Sequence, residues 1–130
     1  MADLYEEARM LLRLAHRDNT AFRILVDHPE APVGNTMFQA QQAVEKAIKA
    51  VLSATAIAFP PSHNLLHLAK LLDGTGVLLP VALADLNRLN PYAVAIRYDD
   101  TEIRTMTKNE ATAIVDVVLR WAAATIPTEP

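Results

Sequence analysis

One segment restricts this chain more than any other. From Phe38 to Ser53 it reads FQAQQAVEKAIKAVLS. Wound at 100° per residue, Gln39, Gln42, Glu45, Lys46, Lys49 and Ser53 occupy about a third of the circumference. Ala40, Ala43, Val44, Ala47, Ile48, Ala50, Val51 and Leu52 fill most of the rest. A helix this apolar must be enclosed on several sides, so it belongs at the centre of a helical stack. Its narrow polar stripe then has two readings, a solvated face or the lining of a site.

The remaining pattern agrees with helices packed on helices. Leu4, Ala8, Leu11, Leu12 and Ala15 mark one face of a first helix over Asp3 to Asp27, with a break conceivable at Asp18-Asn19-Thr20. His28-Pro29 ends it, since proline disfavours helix in the residue before it. Gly34-Asn35-Thr36 opens the second helix, which runs to about Ala58 before Pro60-Pro61. Ser62 is a suitable N-cap for a short third helix from Asn64 to about Leu72, with Leu65, Leu68, Ala69 and Leu72 turned inward. A fourth helix takes Pro80 in its first turn, carries Leu83, Leu86 and Leu89, and stops at Asn90-Pro91. Arg97 to Met106 is charged and irregular. Thr107-Lys108-Asn109-Glu110 has the spacing of a capping box, and Ile114, Val117, Val118 and Trp121 follow on one face as far as Pro127. No stretch alternates with period two over the length of a strand. The expected fold is all-α, an up-and-down antiparallel four-helix bundle with additional short helices, formed by residues 1–130 as one domain.

Composition narrows the function classes. There is no cysteine, so disulfides and thiolate metal sites are excluded and a reducing cytoplasm is the expected compartment. The first residues lack the basic and apolar regions of a signal peptide, and no apolar run has the length of a membrane span. The formal net charge is -3, which removes any global attraction to nucleic acid and makes an anion site a local matter. His63 and His67 share a face at a spacing that can hold zinc, but no third ligand accompanies them, so no metal and no other cofactor is expected.

Three blocks carry a resemblance. Gln42-Ala43-Val44-Glu45-Lys46-Ala47-Ile48-Lys49-Ala50 is followed by His63-Asn64-Leu65 and, later, by Arg97-Tyr98. This order resembles the HEPN family, the higher eukaryotes and prokaryotes nucleotide-binding domain, over about Leu4 to Ile126. The resemblance implies a small helical bundle, often a homodimer with a polar cleft. It also implies pairing with a minimal nucleotidyltransferase in a toxin–antitoxin-like couple, and binding of a nucleotide or RNA. Ribonuclease members carry Arg, four to six residues, then His near the start of the last helix. Counted from Arg97 or from Arg104, those positions hold no histidine here. The expected function is therefore a domain that binds a partner protein and a nucleotide or RNA, with no catalytic residue assigned. The alternatives are a metal-independent ribonuclease toxin with a degenerate site, and a ligand-free dimeric scaffold.

The candidate binding residues are Gln42, Glu45, Lys46, Lys49, His63, Arg97 and Tyr98. Lysine ammonium groups bind phosphate as point charges, and a guanidinium adds a bidentate contact. Tyr98 offers a ring on which a base can stack. A plain Glu45–Lys49 pair at i,i+4 also accounts for the stripe. On either reading both lysines would tolerate glutamine without loss of fold, because glutamine keeps helix propensity. The apolar extent of the second helix, more than one small bundle readily covers, predicts a homodimer through long-helix faces.

Overall fold

The computed structural model describes residues 3–94 and 104–129. All regular structure within them is helical: α1 (Glu6–Val26), α2 (Val33–Ala54), α3 (Leu65–Lys70), α4 (Leu83–Leu89), a 3₁₀ turn (Asn90–Ala93) and α5 (Lys108–Thr125). The all-α expectation holds. Three helices are long, and the return leg between α2 and α5 is made of short pieces. Pro60-Pro61, Gly74, Gly76, Pro80 and Pro91 interrupt that leg, so it cannot form one continuous helix.

The directions of the long helices follow from their ties. Residues 27–32 join α1 to α2, a connection short enough to make them antiparallel neighbours. Arg23, near the end of α1, pairs with Asp116 in mid-α5. Arg9, near the start of α1, donates from Nε to the Pro127 carbonyl (2.9 Å) and from a terminal nitrogen to that of Thr128 (3.1 Å). Thus α5 is antiparallel to α1 and runs with α2.

α2 lies at the centre, in contact with α1, α3, α4, α5 and the 3₁₀ turn. Its arc from Ala40 to Leu52 is wholly buried at every apolar position named above. Four alanines in that arc let neighbouring helices approach closely. One chain therefore covers the whole apolar arc of α2 from Ala40 to Leu52, so the extent of that arc gives no reason for a dimer.

Several boundaries differ from those the pattern suggests. α1 passes through Asp18-Asn19-Thr20 unbroken. Leu4 precedes α1 and is 82% exposed, and Leu83 at the start of α4 is also exposed, so neither joins the core. Pro80 lies before α4 rather than in its first turn. α2 ends at Ala54, not Ala58, in a Schellman closure. Ala56 N–H donates to Ser53 O (3.1 Å) and Ile57 N–H to Leu52 O (2.9 Å), with Ala56 at φ 58°. The cap of α3 is Asn64, not Ser62. Its Oδ1 accepts from the amides of Leu66 (3.0 Å) and His67 (3.3 Å), while Ser62 Oγ accepts from Asn64 N–H (3.1 Å). The capping box at Thr107 and Glu110 forms as its spacing predicts.

Candidate functional site

Glu45 faces neither water nor a ligand-sized opening. It is 2% exposed, in the middle of the most enclosed helix. A buried carboxylate is costly unless every oxygen is bonded and a counter-charge is near. Here Oε1 accepts from Gln41 Nε2 (3.2 Å) and Gln42 Nε2 (3.5 Å), and Oε2 accepts from Lys49 Nζ (3.0 Å). His63 Nδ1 lies 3.0 Å from Oε1 and 3.2 Å from Oε2. Gln42 donates to Gln41 Oε1 (2.6 Å), and Gln41 also donates to the His63 carbonyl (3.1 Å). The stripe is thus mostly an internal polar network, and no buried side-chain polar atom among the described residues lacks a partner.

The loop after α2 sets the geometry. The Schellman turn reverses the chain, and residues 57–64 bring His63 back alongside Glu45, eighteen residues earlier. Asn64 then starts α3, and Asn90 locks the junction: its Nδ2 donates to Asn64 Oδ1 (3.0 Å) and its Oδ1 accepts from Leu65 N–H (2.7 Å). The His63 side chain remains 62% exposed although its Nδ1 is tied to a buried group.

The two lysines differ. Lys49 is only 13% exposed at its side chain, and its ammonium sits 5.9 Å from the Phe59 ring centroid, at the outer limit of a cation–π contact. Lys46 turns the other way and pairs with Asp18 of α1. Both cations are matched by carboxylates, which leaves little net positive charge along the stripe.

Gln42, Glu45, Lys49 and His63 are therefore brought together, and Lys46 is directed to a separate contact on α1. Arg97 and Tyr98 lie outside the described residues. Gln41, Asp18, Asn64 and Asn90 were not among the residues expected at the site. Gln41 had a local signal, being polar within the apolar arc and four residues before Glu45. Asp18 had none, because its partner is 28 positions away. The His63/His67 pair gains no third ligand: among the described residues no group of three His, Cys, Asp or Glu could hold a metal.

A concavity of about 650 Å³ lies where α5 begins, with Val33, Arg88, Arg104, Lys108, Asn109 and Glu110 on its walls. Arg88 pairs with Glu110 and Asp85, and its Nε donates to the Thr105 carbonyl (3.1 Å). The Arg88 hydrogen bond, with those from Thr107, pulls the Glu110 carboxyl down to about 2. The same bond raises Arg88 above its ordinary value. In Asp3, the backbone N–H of Tyr5 and the Arg9 guanidinium lower the carboxyl.

The first two blocks that carry the resemblance, Gln42 to Ala50 and His63-Asn64-Leu65, meet at the Glu45–His63 contact. The family model for the HEPN domain matches residues 6–121. This chain belongs to the HEPN family. The match spans nearly all of the described fold, from the first residue of α1 into the last turns of α5. No curated protein and no solved structure matches the chain. In this HEPN domain the cavity at the head of α5 contains Arg104 and Asn109 at Arg-x4-Asn spacing, and no histidine is among its described lining residues.

Proposed function

We propose that this HEPN domain binds a nucleotide or RNA on the polar face around Glu45 and His63. We further propose that it works in complex with a partner protein, a minimal nucleotidyltransferase in a toxin–antitoxin-like pair. The observation that carries the binding reading is the exposed His63 ring held from behind by a buried, fully bonded Glu45. A well-packed apolar residue would stabilise α2 at least as well as a buried ion pair, so stability alone does not account for the network. Gln42, Lys49 and His63 make the edge of the proposed face. Arg97 and Tyr98 are the proposed contacts for phosphate and base, and Lys46, paired with Asp18 on α1, is left out of this face.

The partner reading rests on family membership, since many HEPN proteins are encoded beside such enzymes. The homodimer is supported by α1, where Met10 and Ile24, fourteen residues apart and so about 40° apart around the helix, are both exposed. No helix among the described residues is long and apolar enough to cross a membrane. A cytoplasmic setting fits that and the lack of cysteine. A non-catalytic role is favoured over the ribonuclease alternative, because the cavity at the head of α5 has no histidine among its described lining residues for acid–base work.

Titration calorimetry with ATP and with a short RNA tests the binding reading. Saturable binding of either is expected, weakening with salt as phosphate contacts require. No binding of either at millimolar ligand would end it. Sequencing the flanking genes for a minimal nucleotidyltransferase, then co-expression with it and size-exclusion chromatography, tests the partner; absence of such a gene would also remove it. Separate elution of the two proteins would remove that part.

A further inference from the structure

Glu45 determines which nitrogen of His63 faces outward. Its oxygens are surrounded by donors from Gln41, Gln42 and Lys49. Such a carboxylate only accepts, so the imidazole hydrogen sits on Nδ1, which lies against it. In that tautomer the lone pair is on Nε2, the ring nitrogen not held by Glu45, and the His63 side chain is 62% exposed. Nothing among the described residues bonds that nitrogen.

Beside the ring is a shallow concavity of about 380 Å³, walled by His63, Asn64, Asn87, Asn90, Pro91 and Val94. None of its described lining residues is Asp, Glu, Lys or Arg. Asn64 Oδ1 is occupied by Leu66, His67 and Asn90, but its Nδ2 has no partner among the described residues. The whole amide of exposed Asn87 is likewise unengaged. The wall therefore offers one acceptor at Nε2, donors at Asn64, both kinds at Asn87, and an apolar surface at Pro91 and Val94. An anion finds amide donors but no Lys or Arg counter-charge among the described lining residues. A flat heterocycle with adjacent donors and acceptors fits the set, because carboxamide side chains match base edges in pairs of hydrogen bonds.

We propose that this concavity takes a nucleobase, with His63 Nε2 accepting a hydrogen bond from a base N–H. Glu45, with Lys49, Gln41 and Gln42 behind it, is a positioning residue for that ring. The inference rests on the nucleotide reading above and adds that this face recognises the base, leaving phosphate to groups elsewhere.

The test uses nitrogen-15 NMR of the histidine rings in the intact protein. Adenosine, cytidine, uridine and inorganic phosphate are titrated in separate arms. The expected result is an Nδ1–H tautomer for His63, and a shift of its Nε2 resonance by at least one nucleoside and not by phosphate. Affinity for that nucleoside should fall about tenfold or more in His63→Ala, the scale of a lost ligand hydrogen bond. Asn87→Ala should weaken it as well, and that residue is exposed and unbonded, so its replacement leaves the fold alone. An Nε2–H tautomer overturns the inference. So does nucleoside affinity unchanged in both variants. ATP or RNA binding that leaves His63 Nε2 unmoved overturns the inference while the nucleotide reading stands; failure of ATP and RNA to bind at all removes both.

Discussion

Lys46 and Lys49 sit three residues apart on one helix, yet their energetic roles differ. Lys46 pairs with Asp18 at a partly open edge, where an ion pair contributes about 0–1 kcal/mol. Lys49 neutralises a carboxylate that is 2% exposed. Removing one member of a buried pair costs about 3–5 kcal/mol, because the remaining charge is left unmatched. His63 and the two glutamines still bond Glu45, so the low end of that range applies. Urea unfolding should place Lys49→Gln about 3 kcal/mol below the wild type and Lys46→Gln within about 1 kcal/mol of it. Equal stabilities would mean that Lys49 is not the partner on which the buried Glu45 side chain depends. Glu110 gives a pH signature. Its carboxyl is held at about 2 in the folded chain against an ordinary 4.5. A depressed carboxylate stabilises the fold above the unfolded value, and that contribution disappears as pH falls from 4.5 towards 2. Glu110→Gln keeps a cap acceptor and removes the charge that faces Arg88. Melting temperatures of wild type and variant should therefore differ at pH 6 and converge between pH 4.5 and 2.

At the level of elements, the end of α2 is the place to intervene. Ala56 takes a left-handed φ of 58° so that the Schellman bonds can close. A Cβ in that conformation costs about 1–2 kcal/mol, which glycine avoids at some expense in unfolded-chain entropy. Ala56→Gly should raise stability by about 0.5–1 kcal/mol in chemical denaturation, with His63 kept in place. The N-terminus of α3 should respond in the opposite direction. Asn64→Ala strands the amides of Leu66 and His67 and frees Asn90, and the loss of such a cap costs about 1 kcal/mol. It should also loosen the His63 loop, visible as faster amide exchange at residues 63–67.

For the whole molecule, the question is what α1 does outside the protomer. With α2 already enclosed, the exposed Met10 and Ile24 are the remaining argument for self-association through a long helix. Sedimentation at high micromolar concentration should show a dimer, and Ile24→Glu should shift it towards monomer. A wild-type monomer under those conditions would remove the dimer. The purified protein should also show little or no ribonuclease activity. Acid–base help is worth roughly a hundred- to ten-thousand-fold, and the arginine–histidine pair that would supply it is incomplete. RNA cleavage abolished by Arg97→Ala would reverse that conclusion.

The helical class, the three long helices, the inward face of α3 and the capping box at Thr107 were legible in the amino-acid sequence, whereas of the face read for α5 only Ile114 and Val118 are buried and Val117 and Trp121 are not. The legible features depend on interactions within four residues or on a periodicity of 3.6. Membership of the HEPN family was legible for a related reason, since its blocks recur at fixed spacing along one helix and its flank. The stripe on α2 was legible as a stripe but not as a network. Whether Glu45 meets water depends on how a chain segment eighteen residues away returns, and whether Lys46 is free depends on an aspartate 28 positions earlier. The end of α2, the cap of α3 and the exposure of Leu4 and Leu83 were decided in the same way. Local pattern marks which side chains are polar. Only tertiary packing determines which of them are enclosed, and enclosure is what turns a surface salt bridge into the support behind an exposed histidine.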